Sequence, residues 1–240
     1  MSFSDIIKRK NVLLLPFSWL YKAGVFVFHK LYDVQILSTY KSPVPAICVG
    51  NLSVGGTGKS PMVEYILRLL SDKYRVAVIS RGYRRKTNGF VLAGVDSTAN
   101  DIGDEPMQFH QKFSGAAIAV GEDRAQAISQ LLQQRPETEV IILDDAFQHR
   151  AVVASLNILL TEQGNIFSTD WYLPAGSLRD LKSNYKRADI IVVTKCDPAL
   201  SLSQKTGIVH SIQPLPHQKI FFAAIDYGMP YYIFTRREAS

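Results

Sequence analysis

The sequence predicts an α/β fold, a wound and mainly parallel sheet with flanking helices, preceded by an N-terminal helical segment of different character. Three observations predict it. Short β-branched, apolar runs alternate with stretches of helical periodicity from residue 44 onward. The first such run, Ile47-Cys48-Val49, breaks at Gly50-Asn51 and passes through a glycine-rich turn straight into a helical pattern. At 240 residues with 47% hydrophobic content, the chain can bury a full core as one α/β domain with appendages.

The glycine-rich turn reads Gly55-Gly56-Thr57-Gly58-Lys59-Ser60. Between a strand and a helix, its successive backbone N–H groups form a nest for phosphate oxygens at a helix N-terminus. Lys59 then reaches the β/γ-phosphates and the Ser60 hydroxyl sits on Mg²⁺. The first position of the usual G-x-x-x-x-G-K-[ST] pattern is Ser53 rather than glycine. The fold is therefore read as a P-loop NTPase type, and the chain as a binder of a nucleoside triphosphate.

Residues 1–40 are read as a membrane-interfacial segment, 41–218 as the P-loop domain and 219–240 as the start of a C-terminal portion that breaks off. Asn11 to Val34 is dense in Leu, Val, Phe, Trp and Tyr. Pro16, Lys22, His29, Lys30 and Asp33 interrupt it before any run reaches the roughly 18 apolar residues of a spanning helix. The expectation is helices in the headgroup layer, apolar side down, with Lys8, Arg9, Lys10, Lys22 and Lys30 snorkelling. An ordinary core-packing helix pair is the alternative. A cleaved signal peptide is not expected, since no small-residue cleavage site precedes the strand that feeds the phosphate loop.

Beyond the loop, Pro61 stands in the first turn of a helix carried by Met62, Val63, Ile66, Leu67 and Leu70. Val76 to Ser80 is a buried strand that empties into Arg81-Gly82-Tyr83-Arg84-Arg85-Lys86, at the strand end where α/β folds place ligands. A solvated turn would look the same. Gly89 to Val95 reads as a strand or hairpin arm, and Asp101-Ile102-Gly103-Asp104-Glu105-Pro106 opens a helix with Asp104 near its N-cap. Ala116 to Val120 is a strand, followed by Gly121-Glu122-Asp123-Arg124 and a helix to Gln134. Val140 to Leu143 ends in Asp144-Asp145, and an aspartate at the tip of a buried strand beside a phosphate loop is the usual second holder of Mg²⁺. The paired acids would also serve as a helix cap. Leu156 to Thr161, Asp189 to Thr194 and Lys219 to Ile225 complete the strands.

Composition narrows the partners. Lys+Arg 27 against Asp+Glu 21 leaves +6, which suits an anionic membrane surface or a phosphorylated substrate. No long basic run or aromatic-basic interleaving calls for nucleic acid, and none is expected as a partner. Cys48 and Cys196 offer no metal-ligand spacing, so a reducing compartment without a disulfide framework follows.

The segments VGNLSVGGTGKSP, SRGY, GDEP, VGEDR, IILDDAFQH and LPAGSLRD, in that order, carry a resemblance that the phosphate loop alone would not. From Val44 to Thr194 the chain closely resembles the tetraacyldisaccharide 4'-kinase family of the lipid A pathway, which phosphorylates the 4'-hydroxyl of a membrane-bound acylated disaccharide 1-phosphate. That family also tends to carry a hydroxyl residue at the Ser53 position. The resemblance implies ATP and Mg²⁺, an acylated disaccharide 1-phosphate as lipid substrate, and a peripheral place on the cytoplasmic face of the bacterial inner membrane. It also implies site roles. Asp104 is the base or orienting carboxylate, with Glu105 its neighbour; Lys59 and Arg124 counter phosphate charge; Asp144 and Asp145 handle Mg²⁺; Gln148 and His149 line the nucleotide or metal site. Each has a plainer reading: Asp104 as a helix cap, Arg124 as a surface ion pair, His149 as a packed turn residue.

Three departures stand out. Arg84 and Arg85 replace the glycines that usually follow SRGY, Asp180 replaces the usual Glu, and the later histidine motif thought to support the catalytic aspartate has no counterpart before Ser240. A rival comes from Thr194-Lys195-Cys196-Asp197, which imitates the N-K-x-D element of GTPases and fits a metallochaperone-type switch. A third reading is an ATP-binding subunit that docks on membranes without catalysis.

Overall fold

The computed structural model describes residues 10–226. Lys8, Arg9 and residues 227–240 therefore lie outside the described residues. The elements run α1 (Leu15–Asp33), β1 (Tyr40–Lys41), β2 (Ala46–Asn51), α2 (Lys59–Leu70), β3 (Val76–Ser80), β4 (Val91–Leu92), α3 (Ala99–Ile102), α4 (Asp104–Lys112), β5 (Ala117–Val120) and α5 (Arg124–Gln134). They continue with β6 (Val140–Asp144), β7 (Val152–Val153), β8 (Leu156–Glu162), β9 (Ile190–Thr194), α6 (Leu202–Ile212) and β10 (Lys219–Phe222). Eight strands form one sheet in the order β10-β9-β8-β2-β6-β3-β5-β4, and only the β4–β5 pair is antiparallel. The α/β P-loop architecture read from the sequence is the one observed. β1 and β7 make a separate two-stranded parallel ladder with Tyr40 opposite Val152.

Both sheet faces are buried, so the strands are apolar runs rather than alternating ones. On one face Val49, Val78 and Ile142 pack with Val63 and Leu67 of α2 and Phe109 of α4. On the other, Cys48, Ile79, Ile141 and Leu143 pack with Ile128 and Leu131 of α5. Val63 and Leu67 are fully excluded from solvent, and each such side chain contributes about 1.5–3 kcal/mol. Because the central strands are parallel, the carboxyl ends of β2, β6, β3, β8 and β9 lie along one edge, where their loops converge.

Three elements differ from the sequence pattern. The arm expected from Gly89 to Val95 shortens to the two residues of β4. The last strand stops at Phe222, although Ala223 still donates its N–H to the Val193 carbonyl at 2.8 Å. The helix α6 lacks a strong apolar stripe and is announced only by its capping box, in which Ser201 and Gln204 satisfy each other's backbone N–H groups.

The N-terminal segment is one continuous helix rather than several. Pro16 falls in the first turn of α1, where its missing N–H leaves no gap, and Lys22, His29 and Lys30 do not break it. Val12–Asp33, 22 residues, is long and apolar enough to cross a membrane by length and composition alone. It is nevertheless tied lengthwise to the domain. Ser18 Oγ donates to the Tyr172 carbonyl at 2.9 Å, Tyr21 Oη to the Arg179 carbonyl at 2.9 Å, and His29 Nε2 lies 2.6 Å from Asp180. The opposite side leaves Phe17, Trp19, Leu20, Phe26 and Val27 more than half exposed, which is not the core-packed helix pair of the alternative reading.

Candidate active site

The phosphate loop spans the gap between β2 and α2. Gly55 and Gly58 take φ +110 and +84, backbone conformations open chiefly to glycine. Gly58 is the N-cap of α2 and supplies no side-chain acceptor, so the first N–H groups of the helix stay available to a ligand. The loop is braced from both sides. Asn51 Nδ2 donates to Thr57 Oγ1 at 2.8 Å, and the Thr194 hydroxyl donates to the Thr57 carbonyl at 2.8 Å. Ser53 needs no glycine because it keeps negative φ and bridges Leu178. Gly50 is required by close approach, since a Cβ there would stand 2.6 Å from that of Phe147.

Asp144 and Asp145 leave the end of β6 in different environments. Asp144 is 1% exposed, and Ser80 Oγ donates to its Oδ2 at 3.0 Å, while Oδ1 has no partner. Burial and the charges of Glu105 and Asp145 push its pKa up to about 6. A buried carboxylate oxygen left unpartnered beside a phosphate loop fits a cation, with the Ser60 hydroxyl one residue past Lys59 as the second donor.

Asp145 takes φ +48 and turns the other way. Its Oδ1 lies 3.7 Å from Lys59 Nζ, and Arg179 holds both carboxylate oxygens, one of them at 3.2 Å. Burial raises this carboxyl's pKa, but Arg179 and then Lys59 outweigh it and hold the group below the usual range. Arg179 also donates to Asn51 Oδ1 at 2.6 Å, and Gln148 Nε2 donates to the Asn51 carbonyl. The Arg179 segment reaches this place because it runs beside the loop, with Arg179 N–H on the Leu52 carbonyl at 2.9 Å and Val54 N–H on the Ser177 carbonyl at 2.8 Å.

Arg124 is not a surface ion pair. It is 2% exposed, donates one N–H to the Gly121 carbonyl, and leaves Nε and Nη2 without partners. Burial lowers its pKa to about 10 despite the nearby Asp144 charge, so it remains a cation at neutral pH with donors to spare. His149 is pushed down to about 4 by burial and by the charges of Arg124 and Arg81, so it is neutral at pH 7.

Asp104 is the first residue of α4 and exposed; the N-cap is Gly103, so Asp104 is not the cap. Gly103 takes φ +91, and a Cβ there would meet the Tyr83 carbonyl at 2.9 Å. This contact sets α4 against the SRGY loop, and the neighbouring Glu105 acts electrostatically on Asp144. Among the described residues no hydrogen bond or ion pair joins Asp104 to Lys59 or Asp145. In the SRGY loop, Arg85 is bound to Glu122 and to the Gly89 carbonyl, while Arg84 lies over the Tyr83 ring. The cluster of four cations expected there is thus partly neutralised.

Asn51, Ser80, Arg179 and Thr194 join the site without a motif to announce their roles. Asn51, Ser80 and Arg179 fall inside the VGNLSVGGTGKSP, SRGY and LPAGSLRD segments, which name no role for them, and Thr194 is marked only by its place at a strand end. The GTPase-like element is otherwise employed. Thr194 braces the phosphate loop, and Asp197 accepts from the Ala199 N–H of its own turn at 2.9 Å. Beside Gly58 and Thr194 opens an apolar groove of about 690 Å³, walled by α2 and by β8 to β10.

Comparison with known proteins agrees with this geometry. The family model described as tetraacyldisaccharide-1-P 4'-kinase matches residues 10–224. A tetraacyldisaccharide 4'-kinase of Parabacteroides distasonis is 49% identical over 94% of this chain and 62% of its own length. Those of Bacteroides fragilis and Flavobacterium johnsoniae are 48% and 47% identical over 90% and 92% of this chain, and 57% and 65% of their own lengths. A crystal structure of LpxK from Aquifex aeolicus in complex with ATP superposes with TM-score 0.70 at 40% identity, covering 75% of this chain and 57% of that one. The chain thus spans about three-fifths of the curated relatives it matches. The match takes in the phosphate loop, the Asp144-Asp145 pair and the Arg179 segment alike, and on it the chain belongs to the tetraacyldisaccharide-1-P 4'-kinase family.

Proposed function

We propose that the chain is the ATP-binding, phosphoryl-transferring part of a tetraacyldisaccharide 4'-kinase. It moves the γ-phosphoryl of ATP to the 4'-hydroxyl of an acylated disaccharide 1-phosphate in lipid A biosynthesis. The carrying observation is the meeting of Lys59, Asp145 and Arg179 at the mouth of an N-terminally uncapped helix, beside the unpartnered Oδ1 of Asp144. Backbone N–H groups from Gly55 to Ser60 hold the phosphates. Lys59 and Arg124 neutralise charge on the transferring group, and the pairing with Asp145 keeps Lys59 aimed at the loop. The mouth of the apolar groove at Gly58 seats the nucleotide base. Mg²⁺, held by Asp144 and Ser60, supplies charge neutralisation between the phosphates when bound. Asp104, on the α4 terminus, accepts or orients the proton of the sugar hydroxyl, with Glu105 beside it. Gln148 fixes the Asn51 carbonyl at the base of the loop.

The exposed apolar side of α1 lies in the headgroup layer of the inner membrane's cytoplasmic face, with Lys30 toward lipid phosphates, whereas Lys10 and Lys22, expected to snorkel, are turned to the domain over the Trp171 and Tyr172 rings. The domain remains outside the bilayer, because the inner side of α1 is bonded to it from Ser18 to His29. Residues 1–40 thus form the membrane segment and 41–218 the kinase domain, and 219–240 begin a C-terminal portion whose first strand completes the sheet. Nucleic acid is not a partner in this reading. Thermal melting with MgATP and MgGTP, together with ATP consumption with and without the disaccharide 1-phosphate, tests it. Stabilisation by MgATP and acceptor-dependent turnover are expected. Preference for GTP, or turnover indifferent to the lipid, would favour the switch reading instead.

A further inference from the structure

We propose that His29 of α1 is a positioning residue for the nucleotide site. It acts by fixing Asp180, and thereby the adjacent Arg179 on which Asp145 and Asn51 depend.

The His29 ring is buried, although it stands on a helix whose other faces are largely exposed. Its Nε2 lies 2.6 Å from Asp180 Oδ1, and the Asn184 amide reaches both groups, at 2.9 Å and 2.6 Å. Asp180 is fully excluded from solvent, and its own Oδ1 also accepts the Leu181 N–H at 2.7 Å. Its Oδ2 faces the Arg187 guanidinium only at 3.7 Å, so the short bonds all fall on Oδ1, and losing the His29 contact leaves a buried carboxylate short of one of them. The next residue toward the site is Arg179, whose carbonyl accepts from Tyr21 on the same face of α1 at 2.9 Å. Its guanidinium holds Asp145 and Asn51.

The same helix holds the second site loop. Arg150 donates to the His29 carbonyl at 3.0 Å and pairs with Asp33 at 2.6 Å, and it follows directly on the run that carries Asp145, Gln148 and His149. The inner face of α1 is thus a common anchor of two loops, which meet each other where Arg179 holds Asp145 and again where Arg187 donates to the Phe147 carbonyl at 2.8 Å. This role is additional to membrane seating, which uses the opposite face, and it rests on reading the loop as an MgATP site.

The test is MgATP affinity by calorimetry on the full-length protein, compared among wild type, His29→Ala, His29→Gln and Tyr21→Phe, with melting temperatures alongside. His29→Ala should weaken MgATP binding roughly 2- to 30-fold, the range for residues acting through packed intermediates. His29→Gln places an N–H donor near the Nε2 position and should recover most of that loss. Tyr21→Phe, which keeps the ring and loses one hydroxyl, should weaken binding to a smaller degree. Wild-type affinity in His29→Ala and Tyr21→Phe, with only lowered melting temperatures, would make these plain docking contacts and overturn the proposal. Equal losses in the Ala and Gln variants would do the same. Because affinity is the readout, the comparison holds whether or not phosphate reaches the lipid acceptor.

Discussion

Arg179 grips Asp145 through two guanidinium nitrogens while also donating to Asn51 Oδ1 at 2.6 Å, so one side chain joins the end of β2 to the acidic turn after β6. Only a planar, forked donor serves three acceptors on two elements at once. Arg179→Lys should therefore lower kcat/KM for phosphoryl transfer about 10- to 100-fold, corresponding to ~1.5–3 kcal/mol for lost bonds to a charged group. Steady-state kinetics in substrate micelles measures it. Unchanged kinetics would mean that Lys59 and the loop N–H groups suffice without this link.

The buried Asp144 gives a stability prediction whose sign is the reverse of the usual aspartate. Burial pushes its pKa up to about 6 in the folded protein, above the ordinary aspartate value of 3.8. Between these values the folded chain binds more protons than the unfolded, so stability declines as pH rises from about 4 to 6. Above that window the ionised carboxyl costs up to about 3 kcal/mol in metal-free protein. Asp144→Asn should therefore melt several degrees higher than wild type at pH 7.5 without Mg²⁺, and the gap should close near pH 4. Melting curves across pH with a chelator present check this. A variant less stable at pH 7.5 would show that the carboxylate is satisfied in the metal-free protein.

The outer side of α1 should govern membrane association without governing the fold. Phe17 and Leu20 are 62% and 74% exposed, so Phe17→Glu with Leu20→Glu should change stability by no more than about 0.5 kcal/mol each. The double variant should leave the pellet when cosedimented with anionic phospholipid vesicles. Full retention on vesicles would place the membrane contact elsewhere.

Asp104 separates a kinase from a nucleotide switch. It is exposed at the start of α4 and does not cap it, so Asp104→Asn costs only about 0.3–1 kcal/mol of helix-terminus electrostatics. Transfer should nevertheless fall roughly 10²- to 10⁴-fold, the usual worth of general acid–base catalysis, with MgATP affinity nearly unchanged. Normal transfer by a stable Asp104→Asn protein would remove this residue from the mechanism.

The parts legible in the sequence are those governed by local rules. The phosphate loop follows from Gly55 to Ser60 between a strand and a helix, and Asp144 from its place at the tip of an apolar run. Buried parallel strands such as Val76–Ser80 announce themselves as unbroken apolar stretches. Long-range placement was not legible. Arg179 stands 128 residues from Asn51 in sequence, and nothing in LPAGSLRD states which strand end it will meet. The burial of Arg124 was hidden for the same reason, since a charged residue opening a helix looks like surface. Along the chain α1 reads as interrupted by polar residues; around the helix, Ser18, Tyr21 and His29 gather on the docked face, where each hydrogen-bonds to the domain.

The most direct test of the account is transfer of labelled γ-phosphate from ATP to disaccharide 1-phosphate in detergent micelles, by the full-length wild-type protein and by Lys59→Met. Wild type should place Mg²⁺-dependent label in the lipid. Lys59→Met, which should still fold, should give only background label, because no neutral side chain replaces the cation facing Asp145 and the β/γ-phosphates. Lipid labelling by Lys59→Met at the wild-type rate, or none by a wild-type protein that binds MgATP, would contradict the account.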